Sequence, residues 1–234
     1  IHIPAHDIQG SLASEHKRQI LDLSVSHLRK KHPDALLILT GHGHEPYAST
    51  TSQCDYVQWE ELHPLNGAGL VCGMPAQFCF VSRGIKIAKR EGFEFCLKTR
   101  GDSIVGRENI FEYSAEVLEK ERKDLLITQM TGDLNYKMGD CFMFGKTDLI
   151  DKIWDESNPV LIDEGLSNTG MNYYKINTGK IPTYPPNSAQ TREWQELLRN
   201  TVAFRDVVDL KFMDMRWNYF DLVQIGWEKV RAKV

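Results

Sequence analysis

The chain has 234 residues, 41% of them hydrophobic and 26% charged, with a net charge near −4. That is ordinary globular composition, long enough to bury a core without covalent staples. The mild negative charge excludes nucleic-acid binding through a global basic surface, so any anion site has to be made locally. No apolar run approaches membrane-spanning length, and there is no internal repeat or low-complexity tract. The five cysteines, Cys54, Cys72, Cys79, Cys96 and Cys141, are odd in number and form no C-x-x-C pair. They read as buried free thiols in a reducing, cytoplasmic compartment, with peripheral membrane attachment as a compatible variant. Ile1 in place of Met reads as a trimmed or processed start.

In chain order, "IHIPAHD" reads as a first strand cut short, leading into a polar loop. "SEHKRQILDLSVSHLRKKHP" has helical periodicity through Ile20, Leu21, Leu23 and Leu28, with Ser14 as N-cap and Pro33 as stop. "ALLILTGHG" and "CDYVQWEEL" read as strands, and "PLNGAGLVCGMP" as a glycine-rich loop. "MPAQFCFVSRGIKIAKREG" is a helix with Pro75 in its first turn, Gly92 as its stop, and Phe78, Val81, Ile85 and Ala88 along one face. "FEFCLK" is a buried strand, "RENIFEYSAEVLEKERK" a helix, and "DLLIT" and "GDCFMFG" strands. "KTDLIDKIWDE", "DEGLSNTGMNYYKI" and "NSAQTREWQELLRNT" read as helices, the last with Asn187 and Gln190 in capping-box spacing. The tail from "DVVDL" onward has no defined type. Alternation of strand and helix predicts one α/β domain, 1–234, with a mixed, largely parallel central sheet flanked by helices.

In open α/β sheets ligands bind beyond the carboxyl ends of the strands. Three predicted strands end in polar clusters: His6-Asp7, "TGHGHEP", and Lys98, Arg100 and Asp102. The last three share one face if the chain stays extended. Two cations beside one carboxylate suit a diphosphate bridged to a divalent metal; an ion-paired strand end with no ligand explains the same pattern. His42, His44 and Glu45 form a weaker zinc-like cluster. Arg100-Gly101-Asp102 abuts an apolar strand, which argues against a projecting adhesion tripeptide. Trp194, Trp217 and Trp227 are candidates for stacking on sugars, although most tryptophans serve the core. Asp140 is a candidate for orienting an acceptor hydroxyl or for capping a turn.

"SRGIKIAKREGFEFCLKTRGDSIV" resembles the central motif of the WavE-like glycosyltransferases. There an Arg-bearing helix and an Ala-Lys turn lead into a strand ending Lys-x-Arg-x-Asp, here Arg83, Ala88-Lys89, Lys98, Arg100 and Asp102. "GDCFMFGKTDLIDKIW" is similar to the family's strand-glycine-helix segment, and Asp163-Glu164 falls where the family has an acidic pair. The resemblance covers 82–174.

It implies a single GT-A-type domain, with a nucleotide-binding part at 1–105 and an acceptor-binding part at 106–234. The implied activity is transfer of a hexose or pentose from a nucleotide-sugar to a glycan or glycoconjugate hydroxyl, in surface polysaccharide synthesis. The resemblance also implies nucleotide contacts from His6, Asp7, Asp55, Arg83, Lys98 and Arg100, Mn²⁺ or Mg²⁺ on Asp102, and a base at Glu164 or Asp163. The sequence departs from the two-carboxylate metal motif, since only Asp102 is acidic there, and all eight histidines lie at or before His63. Lys98 and Arg100 are then expected to carry part of the phosphate charge. Two other readings fit the residues: a metal-dependent hydrolase built on His6, Asp7, His42 and His44, and a non-catalytic nucleotide- or sugar-binding domain.

Overall fold

A computed structural model describes residues 2–3, 11–42, 45–60, 74–101, 103–128, 136, 138, 141–155, 168–206 and 209–214. Within them strands and helices alternate. The first strand, β1 (His2–Ile3), precedes α1 (Ser11–Lys31), β2 (Ile38–His42), the short α2 (Ala48–Thr51) and β3 (Tyr56–Glu60). Then come α3 (Met74–Arg90), β4 (Phe95–Thr99), β5 (Ser103–Val105), α4 (Ile110–Glu121), β6 (Leu125–Thr128) and β7 (Phe142–Lys146). The chain continues through α5 (Thr147–Ile153), α6 (Asn168–Thr178), α7 (Ser188–Thr201), β8 (Val202–Arg205) and β9 (Phe212–Asp214).

Local chemistry explains most boundaries. Helix α1 begins at Ser11, three residues ahead of the predicted cap, and ends two before Pro33. Helix α3 buries Phe78, Val81, Ile85 and Ala88, as its periodicity predicts, and stops where Gly92 adopts φ 80°. Helix α7 is capped by Asn187, whose side-chain oxygen accepts from the amides of Ala189 (3.0 Å) and Gln190 (2.9 Å). The reciprocal half of the expected capping box is absent: the Gln190 side chain accepts from Thr183 instead.

The α/β class holds, but the sheet differs from the single, largely parallel one expected. Among the described residues there are three sheets. Strands β1-β2-β3 are all parallel, β4-β7-β6-β8 are mixed, and β5-β9 are antiparallel. In the mixed sheet β7 runs antiparallel to both β4 and β6, and only β6–β8 is parallel. The physical reason is burial on both faces. Strands such as "LLIT" and "FMFG" are buried at every position, and a continuous apolar run carries no mark of strand direction.

That sheet divides the core into two. Leu125, Ile127 and Met143 point to one side, with α3, α5, α6 and α7; Leu126, Phe142 and Phe144 point to the other, with α4 and Leu28 of α1. Trp194 is 1% exposed in the first of these clusters, packed on Tyr136, so it serves the core and does not stack on a sugar. Among the described residues no helix is long and apolar enough to cross a membrane.

Candidate functional site

The carboxyl ends of the three parallel strands are aligned. Ile3 pairs with Gly41, Gly41 with Trp59, and His42 with Glu60. Arg83 of α3 reaches this end: its guanidinium lies 2.6 Å from the Glu60 carboxylate and 5.5 Å from the Phe80 ring centroid. The next residue, Gly84, faces β2, where a Cβ would make ordinary contact with the Thr40 and Ile38 methyls at 3.4 and 3.6 Å. Arg83 was expected to contact the nucleotide from the helix that feeds β4; its carboxylate partner Glu60, at the end of β3, was not anticipated from the sequence.

The second cluster is at the carboxyl end of β4. Lys98 and Arg100 are 4% and 6% exposed. The Lys98 ammonium lies 4.7 Å from the centroid of Trp154, whose indole N–H points at the Met143 sulfur, 3.4 Å away, and Met143 is the strand partner of Lys98. Stacking on a buried indole holds the ammonium in place at a cost in desolvation that the ring quadrupole partly offsets. The chain turns straight after: the Ser103 amide donates to the Arg100 carbonyl at 3.1 Å, and β5 follows. Ser24 of α1 ties β5 down by donating to the Ser103 carbonyl at 2.7 Å. Arg100 and Gly101 are therefore interior residues, the opposite of what an adhesion tripeptide needs.

Asp55 does a different job from the one expected. It lies at the amino end of β3, the end opposite Glu60. Its carboxylate accepts from the Leu37 amide at 2.8 Å and from Arg29 at 2.6 Å. Arg29 also donates to the carbonyls of Gln53, Pro33 and Ala35. Desolvation works against ionisation, but the Leu37 amide and the Arg29 guanidinium outweigh it, and the carboxyl is held below its usual value. Asp55 is a strut between α1, β2 and β3, and its position gives no support to a nucleoside contact.

The other expected contacts, His6, Asp7, Asp102, Asp163 and Glu164, lie outside the described residues, as do His44, Asp140, Trp217 and Trp227. His42 closes β2. Among the described residues no group of three or more His, Cys, Asp or Glu could hold a metal. The expected metal ligand, Asp102, lies outside the described residues, and the described side chains leading up to it, Lys98 and Arg100, are cations that suit the phosphate oxygens and not the metal.

A feature the sequence did not announce is a cavity of about 640 Å³ between β2 and β4, bounded by α1, α3 and α4. His32, in its wall, is a buried imidazole. Desolvation lowers its pKa against the opposing pull of Glu112 and the Arg107 carbonyl, which favours the neutral ring. No family model and no curated protein matches the chain.

Proposed function

We propose that this chain is a single-domain, nucleotide-sugar-dependent glycosyltransferase of GT-A type. The observation that carries the reading is the burial of Lys98 and Arg100 side by side at the carboxyl end of β4. A cationic strand end of this kind suits a diphosphate. The parallel β1–β2–β3 unit, with Arg83 and Glu60 at its carboxyl end, supports a ligand in the same part of the molecule.

On this reading the sugar C1–oxygen bond breaks and the nucleoside diphosphate leaves with the electron pair. Lys98 and Arg100 stabilise the charge that grows on it, and their dry setting strengthens the effect. The acceptor hydroxyl oxygen bonds C1 while its proton passes to a carboxylate, for which Glu164, with Asp163 beside it, remains the candidate. No step is routed through a metal. The acceptor-binding role of 106–234 belongs to the same proposal.

The test is a thermal-shift screen of nucleoside diphosphates and nucleotide-sugars, with and without Mn²⁺. A diphosphate at about 100 times its Kd adds roughly 2.7 kcal/mol of apparent stability, a rise of about 5–10 °C for a chain of this size. The bare nucleoside should do much less, and Lys98→Met should cut the diphosphate effect. No shift with any diphosphate would falsify the proposal. Binding without turnover of any nucleotide-sugar would favour a non-catalytic domain.

A further inference from the structure

The cavity between β2 and β4 has the outline of a missing strand. At about 640 Å³ it is in the range of ligand pockets, ~300–1,000 Å³, and far larger than the voids of a close-packed interior. On the β4 side every position from 93 to 99 lines it; on the β2 side positions 35–38 and Thr40 do. Side chains alternate between the faces of a strand, so a cavity over one face would be lined by every second residue. Consecutive lining on both sides puts this one in the plane of the sheets, between two strand edges. The helices that cover it come from opposite sides of the core: Val81 and Ile85 of α3 belong to one cluster, Leu28 and Phe111 to the other.

Pairing points the same way. Strand β3 takes one edge of β2 from Ile38 to His42, while β1 pairs with the other at Thr40 and Gly41. Strand β4 is an edge strand, and among the described residues no ladder joins it to β2.

We propose that this slot is a strand site, filled by an extended apolar segment that joins the chain at the amino side of Ile1, continues β1 parallel to β2, and ties the two larger sheets into one. The register sets its path. His2 pairs with Thr40 and Ile3 with Gly41, so positions ahead of β1 run back beside Leu39, Ile38, Leu37 and Leu36. The α3 side is apolar, with Val81, Ile85 and Ala88, while the α1–α4 side sets Leu28 and Phe111 beside Lys31, His32, Glu108 and Glu112; a strand between layers with these apolar contacts on both faces is mainly hydrophobic.

The test is the 234-residue chain with and without an added amino-terminal extension of about five alternating Val and Ile residues. The control is an equally apolar extension with alternate prolines, which lack the N–H that a ladder needs. The Val-Ile extension should raise Tm by about 5 °C or more and slow amide exchange in β4 roughly tenfold, and the proline version should do neither. Ala88→Leu, which fills the slot from α3, should stabilise the unextended chain and remove most of the gain from the extension. Equal effects of the two extensions, or no effect of either, overturn the proposal. So does greater stabilisation by dodecanoate, or by the same peptide added detached, which would make the cavity a ligand site.

Discussion

Removing the Asp55 side chain separates a strut from a ligand contact. In Asp55→Ala the Leu37 amide, 2.8 Å from the carboxylate, loses its acceptor, and Arg29 loses a partner at 2.6 Å. A half-buried orphaned amide costs about 1–2 kcal/mol. The ion pair adds at most ~1 kcal/mol, because the carboxylate is well exposed and Arg29 keeps three carbonyl acceptors. The sum, about 2–3 kcal/mol, corresponds to a Tm lower by roughly 4–12 °C for a chain of this size. Asp55→Asn retains an acceptor for Leu37 and should lose less than half of that.

The assay is a set of thermal melts of wild type and both variants at neutral and acid pH. The folded-state pKa of Asp55 lies below its unfolded value, so the ionised carboxylate's contribution is fully present above about pH 4 and is lost as pH falls through the folded pKa. The Asn variant and wild type should therefore converge in acid. Both variants should bind nucleoside diphosphate like wild type. If Asp55→Ala melted with wild type while diphosphate binding collapsed, the strut assignment would be wrong and Asp55 would be a ligand contact after all.

Three further outcomes follow from local geometry. Asn187→Ala should cost about 1 kcal/mol and speed exchange at the amides of Ala189 and Gln190, which the Asn187 oxygen now holds; unchanged exchange there would refute the cap. Gly170→Ala would put a Cβ 1.7 Å from the Tyr136 carbonyl oxygen. It should destabilise by about 3 kcal/mol or more, despite the gain of ~1 kcal/mol that Ala has over Gly in a helix, and a higher Tm would show that the close approach does not exist. Burial pushes the Tyr173 phenol up to about 12. Ultraviolet titration should show it neutral well above pH 10, and stability should fall as pH rises past 10, because the unfolded chain gives up that proton first. A titration in which every tyrosine ionises near pH 10 with the fold intact would refute this.

Local rules were written plainly in the sequence. The four-residue apolar stripe of α3 and its glycine stop, the Asn187 cap and the position of β4 all follow from periodicity and turn chemistry that act within a few residues. The basic strand end was legible too, since Lys98 and Arg100 are separated by one residue and must share a face of an extended chain. Its burial was not. That depends on Trp154 and Met143, which lie more than forty residues away.

Other features needed the assembled sheets. Asp55 was expected at a nucleoside contact although it opens the strand "CDYVQWEEL"; its partners Leu37 and Arg29, which make it a strut, come from other elements and appear only when the sheet assembles. Strand direction in β4-β7-β6-β8 was hidden because fully buried runs carry no alternation. The strands β5 and β8 went unread because a run of three or four residues next to a turn or a helix has too little periodicity to register. The sequence by itself determined the α/β class, most helices and the basic end of β4, because these rest on neighbours along the chain. Tertiary structure alone decided strand order and direction, the Arg83–Glu60 and Arg29–Asp55 pairings and the slot between β2 and β4, because each is a relation between segments that meet only when the sheets assemble.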